Sequence, residues 1–538
     1  MKTAFTLLIL FALNNVYGQE PEYSFFYRVY LTDKGDMNYN PEDLLSAKAI
    51  IRREKAGIAY PDYRDLPVYK PYTEQISDSG FILHSTSKWM NTALFKTNTI
   101  TDASTLLNLP FVSEIKKVKT PGKKKGFNDK LYFEVVSQDF PPYDRPLTMV
   151  NGYPLHDSGF DGKNVLIAVL DGGFINADLI SSLASLRNRN GIKATYDFVR
   201  NRKFVYDFNN HGTAVMSVLA GNIPQYIKGT APGADFLLLL TEDVRSEFPC
   251  EEDFWAAGAE FADSSGADII SSSLGYYNFD DPDLDYKPEE LDGNTAFVTR
   301  VADIAASKGI LVVNSAGNER DNAWRKIIFP SDGDSVLAIA AVDGDNYISS
   351  FSSAGPASDG RIKPDNAALG VYVPVQITQG FIGRSNGTSF SCPILSGMAA
   401  CLIQAVPGAL NTEVIDAFHT SGDRYNSPDS LFGYGIPDMA AALTELQDRY
   451  VTKPDEEIVA GPNPTTGDVE IIFDESPENL VIEIITISGK TIYRKEINNY
   501  AGRTLRITEL RNREQGIYFI RLIKESGTVV RKIIKLRN

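Results

Sequence analysis

The chain has 538 residues, 43% hydrophobic and 23% charged, a globular composition that excludes a disordered or collagen-like protein and leaves room for several domains. A formal net charge of −16 repels phosphate backbones and anionic membranes, so no nucleic-acid partner is expected. Three cysteines, Cys250, Cys392 and Cys401, are too few for a disulfide framework and read as small apolar core residues.

In chain order, residues 1–18 read as a signal peptide: Lys2, an apolar stretch over 4–13, then Val16-Tyr17-Gly18 before Gln19. That stretch falls short of the ~20 residues a spanning helix needs, so the mature protein is expected to be exported without a transmembrane segment. Residues 19–119 combine a strand-like run over 25–30 with a helical stretch over 44–55, which predicts a small α+β unit. A linker over 120–146 follows, and the basic tract over 116–126 reads as mobile and solvated.

Residues 147–447 change character. Short, nearly continuous apolar runs at 165–170, 236–240, 269–271, 310–313 and 336–341 suit strands buried on both faces, separated by helical segments. The expectation is an α/β domain built on a doubly wound parallel sheet. After a linker over 448–457, residues 458–538 carry strand-like runs at 470–473, 481–487, 516–522 and 528–535 with turns between them, which predicts a small β-sandwich.

Three polar positions break the apolar pattern where chemistry is expected. Asp171 follows the run over 165–170, at the carboxyl end of a buried strand, where open α/β sheets place functional groups. His211 opens a helical pattern in Asn210-His211-Gly212-Thr213, where the helix dipole disfavours imidazolium and keeps a base available. Ser389 lies in Asn386-Gly387-Thr388-Ser389-Phe390-Ser391-Cys392-Pro393 ahead of an apolar helix over 394–406. There the glycine permits a tight turn, Pro393 fits a first helical turn, and the Ser389 N–H is left for a developing oxyanion. The Asn386-Gly387-Thr388 sequon is taken as chance.

Aspartate, histidine and serine in this order supply orienter, base and nucleophile. With Ser273-Leu274-Gly275, Ser315-Ala316-Gly317-Asn318 and Gly433-Tyr434-Gly435-Ile436-Pro437, the central zone resembles the subtilisin-like serine proteases, the subtilase family. The resemblance implies a secreted serine endopeptidase acting on protein or peptide substrates. It makes Asp171, His211 and Ser389 catalytic, Asn318 and Ser389 the oxyanion hole, and Ser273, Leu274, Gly275, Ala316 and Gly317 the substrate-binding residues. Three positions depart from the family pattern: Gly172 stands for Thr or Ser, Phe390 for Met, and Ile394 for His. The N-terminal unit, with Arg52-Arg53 and Ser87-Lys88-Trp89-Met90-Asn91, is similar to subtilase propeptides, which chaperone folding and inhibit the site. The last zone resembles a sorting domain of the type IX secretion system, which adds that machinery and the protein's own propeptide as partners and implies release or surface display after export to the periplasm.

No cofactor is expected. Ser331-Asp332-Gly333-Asp334 and Asp343-Gly344-Asp345-Asn346 lack the full pattern of a calcium loop and read as turns, so no metal ligand is named. Among four histidines there is no His-Glu-x-x-His, which argues against a metalloprotease. The other alternative is a surface binding protein on an inactive protease scaffold, although the three catalytic positions and Asn318 are all present.

Overall fold

A computed structural model describes residues 25–35, 39–98, 102–121, 131, 133–136, 142–450, 458–473, 479–487, 490–498, 502–524 and 527–537; the expected signal peptide lies outside them. In the N-terminal unit, strands β1 (Phe25–Leu31), β2 (Ile82–Ser87), β3 (Thr92–Thr97) and β4 (Val112–Lys119) form an antiparallel sheet in the order β2-β3-β1-β4, joined by helices α1 (Ala47–Lys55) and α2 (Lys70–Asp78). Alternation along β1 serves two cores. Tyr27, Val29 and Leu31 pack with Ile76, Phe95 and Phe111 inside the unit, while Phe26 turns outward to a core of the central domain. The reading of the basic tract as mobile is corrected over 116–119, because Lys116, Lys117 and Lys119 pair with β1, whereas residues 122–126 of the tract lie outside the described residues. Val118 is buried at 3% exposure, and its burial draws the neighbouring lysines into the strand.

The central domain is α/β as expected. Its seven-stranded sheet contains β5 (Leu166–Asp171), β6 (Ile192–Asp197), β7 (Asp235–Leu240), β8 (Ile269–Ser272), β9 (Leu311–Ser315), β10 (Val336–Val342) and β11 (Asn366–Leu369). The strands are parallel throughout, in the order β11-β10-β9-β8-β5-β7-β6. From β5 the chain crosses to the edge strand β6 and returns to β7 between them, then restarts on the other side of β5 and grows outward from β8 to β11. The carboxyl end of β5 is therefore the switch point, where a crevice opens. Residues on the two faces of β5 fall into different cores: Ile167 and Val169 pack with α3 (His211–Ala220) and α6 (Thr388–Ala405), and Ala168 and Leu170 with α4 (Cys250–Ser265) and α5 (Phe297–Ser307). The hairpin β12 (Val373–Thr378) and β13 (Phe381–Ser385) leads straight into α6. Among the described residues α6 is the one helix long and apolar enough to cross a membrane, yet 89% of it is buried inside the domain.

In the C-terminal unit, β14 (Ile458–Gly461), β15 (Val469–Phe473), β16 (Asn479–Thr486), β17 (Thr491–Asn498), β18 (Thr504–Ile507), β19 (Gly516–Lys524) and β20 (Gly527–Lys535) form two antiparallel sheets, β14-β15-β18 and β17-β16-β19-β20. Ile471 and Ile507 of one meet Ile484, Ile520 and Leu522 of the other in a core of their own, the sandwich that the alternating runs predict.

Candidate active site

Asp171 is the last residue of β5 and fully buried, and His211 is the first residue of α3. The His211 ring presents Nδ1 to both carboxylate oxygens of Asp171, at 2.9 and 3.0 Å. Asp171 Oδ1 also accepts the Gly172 N–H at 2.7 Å, and the His211 N–H donates to Asn209 Oδ1 at 2.6 Å, so backbone and side chain of the pair are both held. With Nδ1 engaged, Nε2 is the nitrogen left for chemistry. The other histidines are used elsewhere: His84 meets Phe198 O, His156 meets Thr230 O, and His419 meets Asp365, which also binds Lys363.

Ser389 is the second residue of α6, so its N–H is one of the first-turn donors with no partner inside the helix. The helix starts at Thr388, which corrects the placement of Pro393: it lies in the second turn. There its missing N–H would have bonded the carbonyl four residues earlier, that of Ser389. Ser273 repairs the loss, its Oγ donating to Ser389 O at 3.0 Å. His211 and the start of α6 face each other through Phe390, whose ring centroid is 6.0 Å from that of His211. Among the described residues no hydrogen bond joins Ser389 Oγ to the imidazole, and apo sites often hold such contacts loosely.

Asn318 lies just past β9, and its Oδ1 accepts the Thr388 N–H at 2.9 Å and the Thr388 hydroxyl at 3.0 Å. A backbone N–H can only donate, so this contact fixes the carboxamide orientation and leaves Nδ2 as a donor. Gly387, at φ 145°, shows where that donor points: a Cβ there would stand 3.7 Å from both Asn318 Nδ2 and Ser389 N. Two N–H donors border one small space that only a glycine leaves open.

The expected substrate-binding residues also converge. Ile328, which the sequence did not single out, separates the segments 273–275 and 316–317: a Cβ on Gly275 would lie 2.2 Å from its Cδ1, and one on Gly317 3.0 Å. Its N–H donates to Ala316 O at 3.2 Å. Leu274 and Ala316 have buried side chains, so these segments offer a partner mainly backbone. A second residue missed is Phe133, whose ring sits edge-on to His211 and Phe390 at 5.5 Å from each. The apolar run Leu131-Tyr132-Phe133 ahead of Val135-Val136, unusual in a linker, was its signal.

The three cysteines are buried and unbridged, and burial pushes the Cys392 thiol up to about 12, so it offers no nucleophile near Ser389. Asp343 Oδ1 accepts the N–H groups of Asp345 and Tyr347, and Asp332 accepts the Thr299 hydroxyl and the Gly293 N–H, the bonding of turn and cap carboxylates. Among the described residues one set of carboxylates, Glu242, Glu247 and Glu251, is close enough to share a cation. Protein donors already reach it: the Tyr276 hydroxyl bonds Glu242, and the N–H groups of Asp243 and Phe248 bond Glu251.

A parallel sheet with a buried Asp–His pair at its switch point and a serine at a facing helix start defines a class, and residues 162–435, about half of the chain, match the Subtilase family. The protein belongs to that family and is a serine endopeptidase. It is 30% identical to Subtilisin E of Bacillus subtilis (strain 168) over 299 residues, 55% of this chain and 70% of that protein. It is equally similar to Subtilisin of Bacillus pumilus, of which the match covers 97%, and 27% identical over 324 residues to the Thermostable alkaline protease of Halalkalibacterium halodurans, covering 60% of this chain and 78% of that one. Residues 26–130 match the Peptidase S8 propeptide domain of Bacteroidota, and residues 461–536 a Secretion system C-terminal sorting domain. The protein is thus made as a zymogen, and its sorting tail is that of the type IX secretion system, which implies export to the surface or beyond.

Proposed function

We propose that Ser389 is the nucleophile of an acyl-transfer cycle in which His211 Nε2 takes the Ser389 proton, Ser389 Oγ attacks the peptide carbonyl, and His211 then protonates the leaving amine. Water, deprotonated by the same imidazole, releases the acyl group. Asp171 holds the imidazole in the required tautomer and stabilises its protonated form. Asn318 Nδ2 and the Ser389 N–H bind the oxyanion in the space beside Gly387. Segments 273–275 and 316–317 hold extended protein or peptide substrates. Every group this cycle needs is a side chain or backbone amide of the chain, and no cofactor enters it.

The observation that carries this reading is the buried Asp171–His211 pair at 2.9 Å, set beside the helix start that bears Ser389. Ser389→Ala should lower turnover by a factor on the order of 10⁶ and leave the precursor uncut. A fluorophosphonate should label Ser389 in the wild type and nothing in the variant. Undiminished activity in Ser389→Ala would overturn the assignment, and an unlabelled wild type would favour a binding protein on an inactive scaffold.

The N-terminal unit serves as folding template and inhibitor, since a parallel sheet pairs residues distant in sequence and forms slowly. Residues 1–18 carry the chain to the periplasm, and residues 458–538 hand it to the type IX machinery.

A further inference from the structure

β8 and β9 are neighbours in the parallel sheet, and past their carboxyl ends the segments 273–277 and 316–319 part far enough for another piece of chain to enter. That piece is Ile328-Phe329. The Ile328 N–H donates to Ala316 O at 3.2 Å on one side, and Phe329 exchanges both backbone hydrogen bonds with Tyr276 on the other, at 3.0 and 3.2 Å. The Cγ1–Cδ1 arm of Ile328 reaches both walls: a Cβ on Gly275 would stand 2.4 and 2.2 Å from those two atoms, and one on Gly317 3.0 Å from each. Ile328 is only 8% exposed, so its side chain fills the gap between the walls.

Both walls are tethered. Ser353 holds 316–319, its N–H donating to Gly317 O at 2.9 Å and its Oγ accepting the Glu319 N–H at 2.9 Å. At the outer edge the Tyr277 hydroxyl donates to Glu319 Oε2 at 2.7 Å, which joins one wall to the other. The Tyr277 ring leans on Trp324, with centroids 4.7 Å apart, and the Trp324 indole N–H donates to Ile327 O at 2.9 Å. The gap therefore cannot widen without breaking several contacts at once.

Its place beside the oxyanion donors decides which substrate side chain it meets. The wall 316–317 runs directly into Asn318, and Ser273, at the base of the other wall, bonds Ser389 O. The carbonyl carbon under attack belongs to the residue before the scissile bond, so the side chain of that residue is the one brought to these walls. We propose that Ile328 sets the specificity of the enzyme: by filling this seat it restricts cleavage to bonds that follow glycine, alanine or serine. The proposal rests on the acyl-transfer reading above. A larger side chain would have to displace a buried isoleucine between two tethered walls, and overpacking of that kind is resisted where the surroundings cannot relax. The preference works by exclusion, through a clash built against the wrong substrate.

Peptide anilides that differ only in the residue before the anilide test this on the processed wild-type enzyme. The alanine anilide should show a kcat/KM at least about tenfold above those of the leucine, phenylalanine and lysine anilides, the scale on which a pocket sorts side chains by size. Ile328→Gly should raise kcat/KM for the phenylalanine anilide at least about tenfold, and Ile328→Ala should do the same for the leucine anilide, with Ser389 still taking up fluorophosphonate in both. Equal or faster cleavage after phenylalanine by labelled wild-type enzyme overturns the filled seat and leaves the acyl-transfer reading standing, whether or not either variant folds. A labelled variant that keeps the wild-type ranking overturns Ile328 as the determinant. A wild type that neither labels nor cleaves overturns the cycle and the proposal together.

Discussion

Ser273 and Asn318 hold the start of α6 from opposite sides, one by donating to Ser389 O and the other by accepting from Thr388 N. The first contact is structural, whereas in the proposed cycle the free end of Asn318 meets a charge that exists only in the transition state. Asn318→Ala should therefore lower kcat by about 10²–10³ with KM nearly unchanged, a magnitude carried over from subtilisin itself, and kinetics on a chromogenic peptide check it. A folded variant with wild-type kcat would reduce Asn318 to a cap for Thr388. Asp332 tests burial instead. Burial raises its carboxyl to about 6 even though Thr299 and Gly293 donate to it. A carboxyl raised above its unfolded value of 3.8 stabilises the fold most below about pH 4 and loses that contribution as pH rises through about 6. Asp332→Asn, in the Ser389→Ala background to prevent self-digestion, should melt at a higher temperature at pH 7, by at most about 3 kcal/mol of stability, and lose the difference near pH 4. A lower melting temperature at pH 7 would mean that the charged form is used. At this scale the candidate set of Asp171, His211, Ser389 and Asn318 was legible because the chemistry proposed for it demands fixed residue types beside fixed turns. Ile328 and Phe133 were not, because each acts through contacts with residues far along the chain, and any apolar side chain of similar size reads the same.

At the scale of elements, α4 faces the propeptide with acids that the N-terminal unit answers. Arg28 of β1 donates to both oxygens of Asp253, at 2.9 and 2.8 Å, reaches Glu252 at 3.2 Å and lies over the Phe297 ring at 3.5 Å. Arg53 of α1 joins Asp65 of its own unit to Asp263, and Arg52 binds Asp263 as well. Glu260 accepts the Ser87 hydroxyl and the N–H groups of Lys88 and Trp89. Removing one partner of a buried pair strands the other, at a cost of about 3–5 kcal/mol. Arg28→Ala should destabilise the uncut Ser389→Ala precursor by that much in urea unfolding; a loss under about 0.5 kcal/mol, the scale of a surface substitution, would show the pair to be idle. The motifs Arg52-Arg53 and Ser87-Lys88-Trp89 marked the unit as propeptide-like in the sequence, but that they face the central domain, and which acids they meet, depends on how two units dock. Strands followed the same division. Runs buried on both faces, as in β7 and β10, were plain, whereas β6, with most of its residues only half-buried, carries no continuous apolar run and was missed.

Across the whole molecule, the candidate chemistry ends before the C-terminal sandwich, whose core is built from its own residues between Ala460 and Ile533. Deleting residues 458–538 should leave kcat of the purified enzyme unchanged and hold the protein in the periplasm of a host with the type IX system, as fractionation and peptide assays would show; normal export of the truncated form would overturn the sorting role. The order of units was legible from changes in hydrophobic period along the chain. What stayed hidden was that residues taken for a linker run through the cleft, since a short apolar run does not say what it touches. The row of acids on α4 bears on a different matter, the fidelity of pairing between an enzyme and its chaperone. A propeptide of the same shape that lacked Arg28, Arg52 or Arg53 would have to strip water from Asp253, Glu252 or Asp263 and give nothing back, so it would be rejected by desolvation before any clash of form. In a cell that exports several such proteases, each catalytic domain would thereby accept its own propeptide and refuse its neighbours'.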